Sequence, residues 1–297
     1  MATAFCPAHI TGFFKAELDK KDSKQLGSLG AGFSIQKGVK TTVTIRNKTK
    51  HDISNFTIKV NGFESGNMRV SKVVLNKFST KGKFVDIIHE IDVPVGYGFG
   101  SSAAVALSLS IALNDALECK LSKIKVAQIA HDVEIECKTG LGDVLASYYG
   151  GFEIRDKPGA PGIGHVQNIT LNKISIIMIC FSPISTSKFI KERLPRINGL
   201  GGKMVNKLLK SKNYEHFQEM SLEFAKYVDV MTPRMQKVVN ELSKNNIKCG
   251  IALFGETIFS MTPKENENKI LKILEKYSDG IIIKSELDNT GARILYN

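Results

Sequence analysis

The residues from Pro94 to Ser110 read Pro-Val-Gly-Tyr-Gly-Phe-Gly-Ser-Ser-Ala-Ala-Val-Ala-Leu-Ser-Leu-Ser, and no other stretch constrains the fold as tightly. Glycines at 96, 98 and 100 permit positive φ and leave no Cβ in the way of a ligand. The run Ala103-Ala104-Val105-Ala106-Leu107 behind them is made of good helix formers that allow close packing, and Ser101 or Ser102 can serve as N-cap. A glycine loop feeding a helix start presents several backbone N–H groups at the positive end of the helix dipole, a suitable seat for a polyphosphate. Alternating glycines alone are equally well read as a turn before an ordinary core helix. Two features narrow the reading: no Lys follows the last glycine, which excludes the Walker-type loop, and Ser-Ser-Ala-Ala is a rarer sequel than glycine alone.

A chain of 297 residues with 42% hydrophobic content can bury a full core and supply two domains that share a cleft. Its charge of +12 suits an anionic small molecule, a nucleotide or a nucleic acid. The lysines are spread along the whole length with no dense basic block and no Trp, which points away from nucleic acid and toward a solvated surface plus an anion-binding cleft. Five well-separated cysteines without a Cys-x-x-Cys pair indicate reduced thiols, with neither a zinc site nor a disulfide framework. The start of the chain shows no basic segment ahead of an apolar run, and the longest apolar stretch, Ile174 to Ile184, is too short to span a bilayer. The expectation is a cytoplasmic protein without a membrane partner.

Before the loop, Thr3 to Phe14 predicts a strand broken by a turn at Pro7 to Gly12, with His9 and Thr11 in a polar position able to meet a ligand. A second glycine cluster, Gly27-Ser28-Leu29-Gly30-Ala31-Gly32, reads either as a turn with bulges or as a floor for substrate. Strands are expected over Val39–Arg46, Asn55–Asn61 and Phe84–Val93, and a helix over Met68–Phe78. After the loop a helix runs from Ser101 to about Leu117. Ser122 caps the next, which turns Ile124, Ala127, Ile129, Ala130, Val133 and Ile135 toward the core and carries His131, Glu134 and Lys138 in one polar stripe. The Pro- and Gly-rich segment Lys157 to Gly164 marks a boundary between residues 1–165 and 166–297 or a rim of the active site. The second half alternates strands (Ile174–Phe181, Cys249–Phe254, Thr257–Met261, Gly280–Lys284) with helices, including one opened by Thr232-Pro233 and one over Glu265–Lys276, as an α+β sandwich does.

The loop Pro-x-Gly-x-Gly-x-Gly-Ser-Ser-Ala-Ala resembles that of the GHMP kinases, with Phe99 in place of the usual Leu. The resemblance implies a two-domain α+β fold, its cleft lying between an N-terminal domain and a C-terminal ferredoxin-like α+β domain. It implies ATP and Mg2+ as cofactors, and nucleotide contacts from Pro94, Gly96, Gly98, Phe99, Gly100, Ser101, Ser102 and Ala103. The segment Thr139-Gly-Leu-Gly-Asp-Val144, with Gly150-Gly151 beyond it, matches the one that supplies the catalytic Asp in mevalonate-kinase-like members, which puts Asp143 in that role. Glu134 and Ser102 match the metal-binding Glu and the loop Ser, and Asp132 and Glu136 should point off the Glu134 face. His9 stands where many members place a Lys, and Gly250 to Gly255 is a glycine-poor version of the third motif.

Finer resemblance, over Cys6 to Phe14, Gly27 to Gly32 and Thr139 to Val144, is to the archaeal members that act on pantoate. A small hydroxy acid needs a fixed cation for its carboxylate, which points to the bidentate fork of Arg155, a residue equally at home as a strand-end surface Arg. Ser28 and His131 are the next candidates for its oxygens, with His9 and Thr11 behind them. The resemblance leaves a homodimer open. Two other readings stay open: a GHMP kinase acting on homoserine, shikimate or a mevalonate derivative, and a non-catalytic binding protein of the same fold. Retention of Ser102, Glu134 and Asp143 together speaks against the latter.

Overall fold

The computed structural model describes residues 1–63, 68–184 and 186–296, with the side chains of 186–189 outside the description. In chain order the first half contains β1 (Ala2–Glu17), β2 (Gly27–Asn47), β3 (Phe56–Gly62), α1 (Arg69–Leu75), β4 (Lys83–Ile91), α2 (Ser101–Ala116), α3 (Lys123–Cys137), α4 (Asp143–Tyr149), β5 (Phe152–Lys157) and β6 (His165–Ile169). The second contains β7 (Ile174–Pro183), α5 (Thr186–Ser211), α6 (Tyr214–Tyr227), α7 (Pro233–Lys244), β8 (Gly250–Ala252), β9 (Gly255–Pro263), α8 (Glu267–Leu274), β10 (Ile281–Glu286) and β11 (Arg293–Leu295).

Two sheets result. The first has seven strands in the order β11-β1-β2-β4-β3, with β5 on the free flank of β2 and β6 beyond it. The second runs β10-β7-β9-β8, antiparallel throughout, with helices between β7 and β8 and between β9 and β10. That is the split βαβ arrangement of a ferredoxin-like unit, as the sequence resemblance implied. The sheets are not divided at residue 165: β6 belongs to the first, and β11 returns to it from the far end of the described chain. Their core is also shared. Phe33 of β2 meets Phe259 of β9 at 5.0 Å between ring centroids, and Phe217 of α6 joins Phe13, Phe152 and Phe259 between the sheets.

The first strand is continuous and not interrupted by a turn. It absorbs Pro7 and Gly12 by register shifts at Pro7/Ala8 and Thr11/Phe13, bulges that remove the need for a ladder bond from a residue without an N–H. The strand is buried on both faces because α2 and α4 pack against it, as do α5 and α6. The second glycine cluster is likewise strand, the first part of β2, paired to β1 and to β5. On α3 the inward residues are Val126, Ala127, Ala130, Val133 and Cys137; Ile124 is exposed, because Ser122 caps the helix and leaves its first turn at the surface.

Candidate active site

A cleft of ≈ 410 Å³ opens where the 95–102 loop, the turn 137–143 and the 253–254 corner converge. The loop reaches its shape through φ of +87° at Gly96, +86° at Gly98 and +55° at Gly100, values that side-chain-bearing residues adopt at a cost. Gly100, not Ser101 or Ser102, is the N-cap of α2, and no side chain caps the helix. The serine expectation fails because Ser102 is already inside the first turn, where its Oγ donates to Glu134 Oε2 at 3.2 Å. The N–H groups of that turn are left to whatever enters the cleft, which Gly100, Ser101 and Ser102 line.

Glu134 stands on α3 behind this wall, 2% exposed, and its Oε1 accepts from Thr139 Oγ1 at 2.5 Å. Burial pushes its carboxyl up to about 7, and the charge of Asp143 adds to the shift against the hydrogen bonds from Thr139 and Ser102. Gly140 passes close to both carboxylates: a Cβ there would fall on Glu134 Oε2 and lie 3.0 Å from Asp143 Oδ2. Among the described residues no group of three or more His, Cys, Asp or Glu could hold a metal alone. An oxygen-only set of one or two carboxylates and a hydroxyl suits Mg2+, which keeps waters and leans on phosphates; it does not suit a zinc-type cage.

Asp143 opens α4 with its side chain 23% exposed to the cleft. Its Oδ1 accepts from His9 Nδ1 at 2.9 Å and from Thr11 Oγ1 at 3.5 Å. Burial alone would raise its pKa, but His9 and Arg155 hold it below the usual carboxylate range. The other ring nitrogen of His9 lies 2.8 Å from Glu153 Oε1, and the same oxygen accepts from Arg155 Nη1 at 2.5 Å. Desolvation opposes charge on the fully buried His9, yet its two carboxylate partners outweigh it and raise its pKa above 6.5. A chain of alternating charge therefore runs inward from the cleft: Asp143, His9, Glu153, Arg155.

This chain explains the glycines of β2. Gly30 and Gly32 project to one face of the strand, as residues two apart must. A Cβ on Gly30 would stand 2.5 Å from Arg155 Nη2, and one on Gly32 2.5 Å from His9 Nε2. The cluster is space for two buried cations beneath the cleft. Arg155 is 1% exposed and still lines the cleft, and among the described residues its Nε has no hydrogen-bond partner. Beside that Nε come Gly142, whose Cβ would meet it at 2.8 Å, and Ser28, whose Oγ the same Cβ would strike.

Residues 68–151 match the model of the GHMP kinases N-terminal domain. The chain is 34% identical to a pantoate kinase of Methanocaldococcus jannaschii over 276 residues, 91% of this chain and 96% of that one. It belongs to the pantoate kinase family of GHMP kinases. A second such relative, from Thermococcus kodakarensis, is 29% identical over 91% of each chain. A solved structure named as a phosphotransferase related to the CoA biosynthesis pathway superposes with a TM-score of 0.87 at 28% identity, covering 98% of this chain and 97% of its own. Membership of this family makes the protein an ATP-dependent kinase. No helix among the described residues is long and apolar enough to cross a membrane.

The cleft gathers most of the residues expected from sequence: Gly96, Gly98, Phe99, Gly100, Ser101, Ser102, Thr11, Ser28, Asp143 and Arg155 line it. Pro94 and Ala103 do not. Both are buried, Ala103 because it faces the core side of α2. His9 lies beneath the wall and not in it, since both its nitrogens are taken by carboxylates. His131 faces elsewhere: its Nε2 donates to the Ser23 carbonyl at 3.1 Å, while Asp132 accepts from Ser23 Oγ at 2.7 Å. Asp132 and Glu136 do point away from Glu134, Glu136 to Lys77. Sequence reasoning missed Glu153, although a period of two in Phe152-Glu153-Ile154-Arg155 already sets both charges on one face of a strand. It also missed the apolar wall of Phe14, Leu141, Ile190, Leu253 and Phe254.

Proposed function

We propose that the protein transfers the γ-phosphoryl group of ATP to the primary alcohol of pantoate, with Mg2+ as the accompanying ion. The observation that carries the acceptor is the Nε–H of buried Arg155 at the cleft, which has no partner among the described residues and lies next to Ser28 on the same wall as Asp143. A buried donor without a partner costs free energy until an acceptor arrives, and a carboxylate is the acceptor a guanidinium holds best. The apolar wall suits the two methyl groups that distinguish pantoate from homoserine, and the family of the chain acts in support.

In this reading the first turn of α2 and the glycine loop hold the phosphates. Glu134 and Ser102 would hold the metal, which when bound neutralises charge on the phosphate oxygens. Asp143 aligns the attacking hydroxyl. It already accepts from His9 and Thr11, so its basicity is low, and it guides the alcohol instead of stripping its proton early; phosphoryl transfer asks mostly for positioning and charge. The new bond joins the alcohol oxygen to phosphorus, the bond to the β-bridging oxygen breaks, ADP leaves, and the alcohol proton passes to Asp143 as that bond forms. A coupled ADP-release assay with pantoate, homoserine, shikimate and mevalonate tests the acceptor. Saturable turnover with pantoate above the other three is expected, and its absence removes the assignment.

A further inference from the structure

Glu153 and His9 lie outside the cleft, buried beneath its wall and bonded to residues that line it. His9 is fully buried on β1, and its ring is held end to end between a carboxylate of α4 and one of β5. Each nitrogen faces a carboxylate oxygen within 2.9 Å, a geometry that suits a ring donating from both sides, as an imidazolium does, and the same two partners raise its pKa. The groups facing it are Asp143, Glu153, Arg155, whose Nη1 lies 3.4 Å from Nε2, and the hydroxyl of Thr11 at 3.5 Å from Nδ1. Its main chain carries a second tie: His9 N–H donates to the Phe99 carbonyl at 3.1 Å, joining β1 to the phosphate loop.

We propose that His9 and Glu153 are positioning residues for phosphoryl transfer: Glu153 keeps the His9 ring doubly protonated, and His9 in turn fixes one oxygen of Asp143 so that the other faces the acceptor alcohol. Without the Glu153 charge the ring reverts to a neutral tautomer. Its remaining proton stays on Nδ1, which faces the charged Asp143, and Nε2 takes an N–H from the amide that replaces Glu153. Asp143 then meets a neutral donor in place of a cation and is held less firmly in its catalytic orientation. Arg155 does not replace this function, because its Nη1 donates to Glu153 and a guanidinium cannot accept a hydrogen bond from the ring. The proposal rests on the reading of Asp143 as the residue that meets the acceptor hydroxyl.

The test is Glu153→Gln, which is isosteric and offers Nε2 an N–H in place of a carboxylate. Turnover should fall by about ten- to a hundredfold, as expected for a catalytic group held less firmly, while the KM for ATP stays within about twofold. Selective ¹⁵N labelling of histidine gives a readout that a packing defect does not move. At a pH of about 8, where an ordinary histidine is neutral, His9 in the parent protein should show two protonated-type ring nitrogens, and in Glu153→Gln one of each type. Assignment comes from the signal that vanishes in His9→Gln. A neutral His9 in the parent protein overturns the proposal, and so does a folded Glu153→Gln with turnover within about threefold of the parent. Should the variant not fold, the parent spectrum decides alone. If the parent turns over no pantoate, the acceptor assignment fails while the spectra still judge the positioning pair.

Discussion

Replacing Arg155 separates its observed pairing with Glu153 from its proposed contact with the acceptor carboxylate. Its Nη1 is the partner of Glu153, and its Nε–H is the donor left over at the cleft. Arg155→Lys keeps a charge that can still reach Glu153 but loses the second donor and the planar fork. A charge-assisted hydrogen bond is worth about 1.5–3 kcal/mol, so kcat/KM for pantoate should drop about ten- to a hundredfold, carried by KM. Thermal stability should change little and the KM for ATP hardly at all. Arg155→Ala differs in kind. The two side chains are 1% and 0% exposed, and deleting one partner of such a pair typically costs about 3–5 kcal/mol because the other is stranded. The His9 cation on the same Glu153 oxygen keeps the expected value at the lower end. For a chain of this size that is a melting-point loss of roughly 5 °C. Initial rates at varied pantoate and varied ATP, with melting curves for both variants, decide the matter. An unchanged pantoate KM in Arg155→Lys, beside a destabilised Arg155→Ala, makes Arg155 only the counter-ion of Glu153.

Asp143→Asn should lower kcat by about two orders of magnitude or more with nucleotide binding nearly intact; retention of more than about a tenth of parental kcat contradicts its assigned role. Gly98→Val places a β-branched residue at φ +86°, with its Cβ 3.3 Å from Ala252 Cβ and the Phe254 nitrogen, and should abolish ATP binding in a folded chain as judged by circular dichroism and titration calorimetry. Unchanged affinity there takes the loop out of the nucleotide site. Burial pushes His89 down to about 4, so between pH 6.5 and 4 the unfolded chain binds the proton that the folded one refuses. Stability present above 6.5 is lost as pH falls through that window, by roughly 3 kcal/mol for this residue, and His131, also held low by burial, acts in the same direction. Melting midpoints at pH 7 and pH 5 should differ, less so in His89→Asn; equal midpoints in the parent refute it.

How much of this was legible follows from how local each signal is. The glycine loop and the Asp143 turn are written in consecutive residues, so their chemistry could be read without a fold. The β-strand bulges at Pro7 and Thr11 were not legible, because a proline reads as a break until a partner strand shows that its missing N–H is not required. The charge chain was hidden for a different reason. His9 meets Glu153 across 144 positions, and only the pairing of β1 with β2 and of β2 with β5 brings them together. His131 shows the converse error: a polar stripe on a helix has two possible audiences, and the short turn Ser23–Gln25 claimed this one.

The return of β11 to β1 bears on how the chain reaches this shape. Thr3 pairs with Leu295, and Phe5 with Arg293, so one of the longest sequence separations in the molecule is closed inside the sheet that carries the site. Pairings of that range are slow to form, since the loop entropy is lost before the contact repays it. A fragment ending after β6 would hold the loop and every charge of the buried chain and still present β1 as an open edge, able to recruit strands from other molecules. Refolding should therefore depend on concentration until the last strand docks, and recovery of activity should follow that docking and not the earlier formation of the helices.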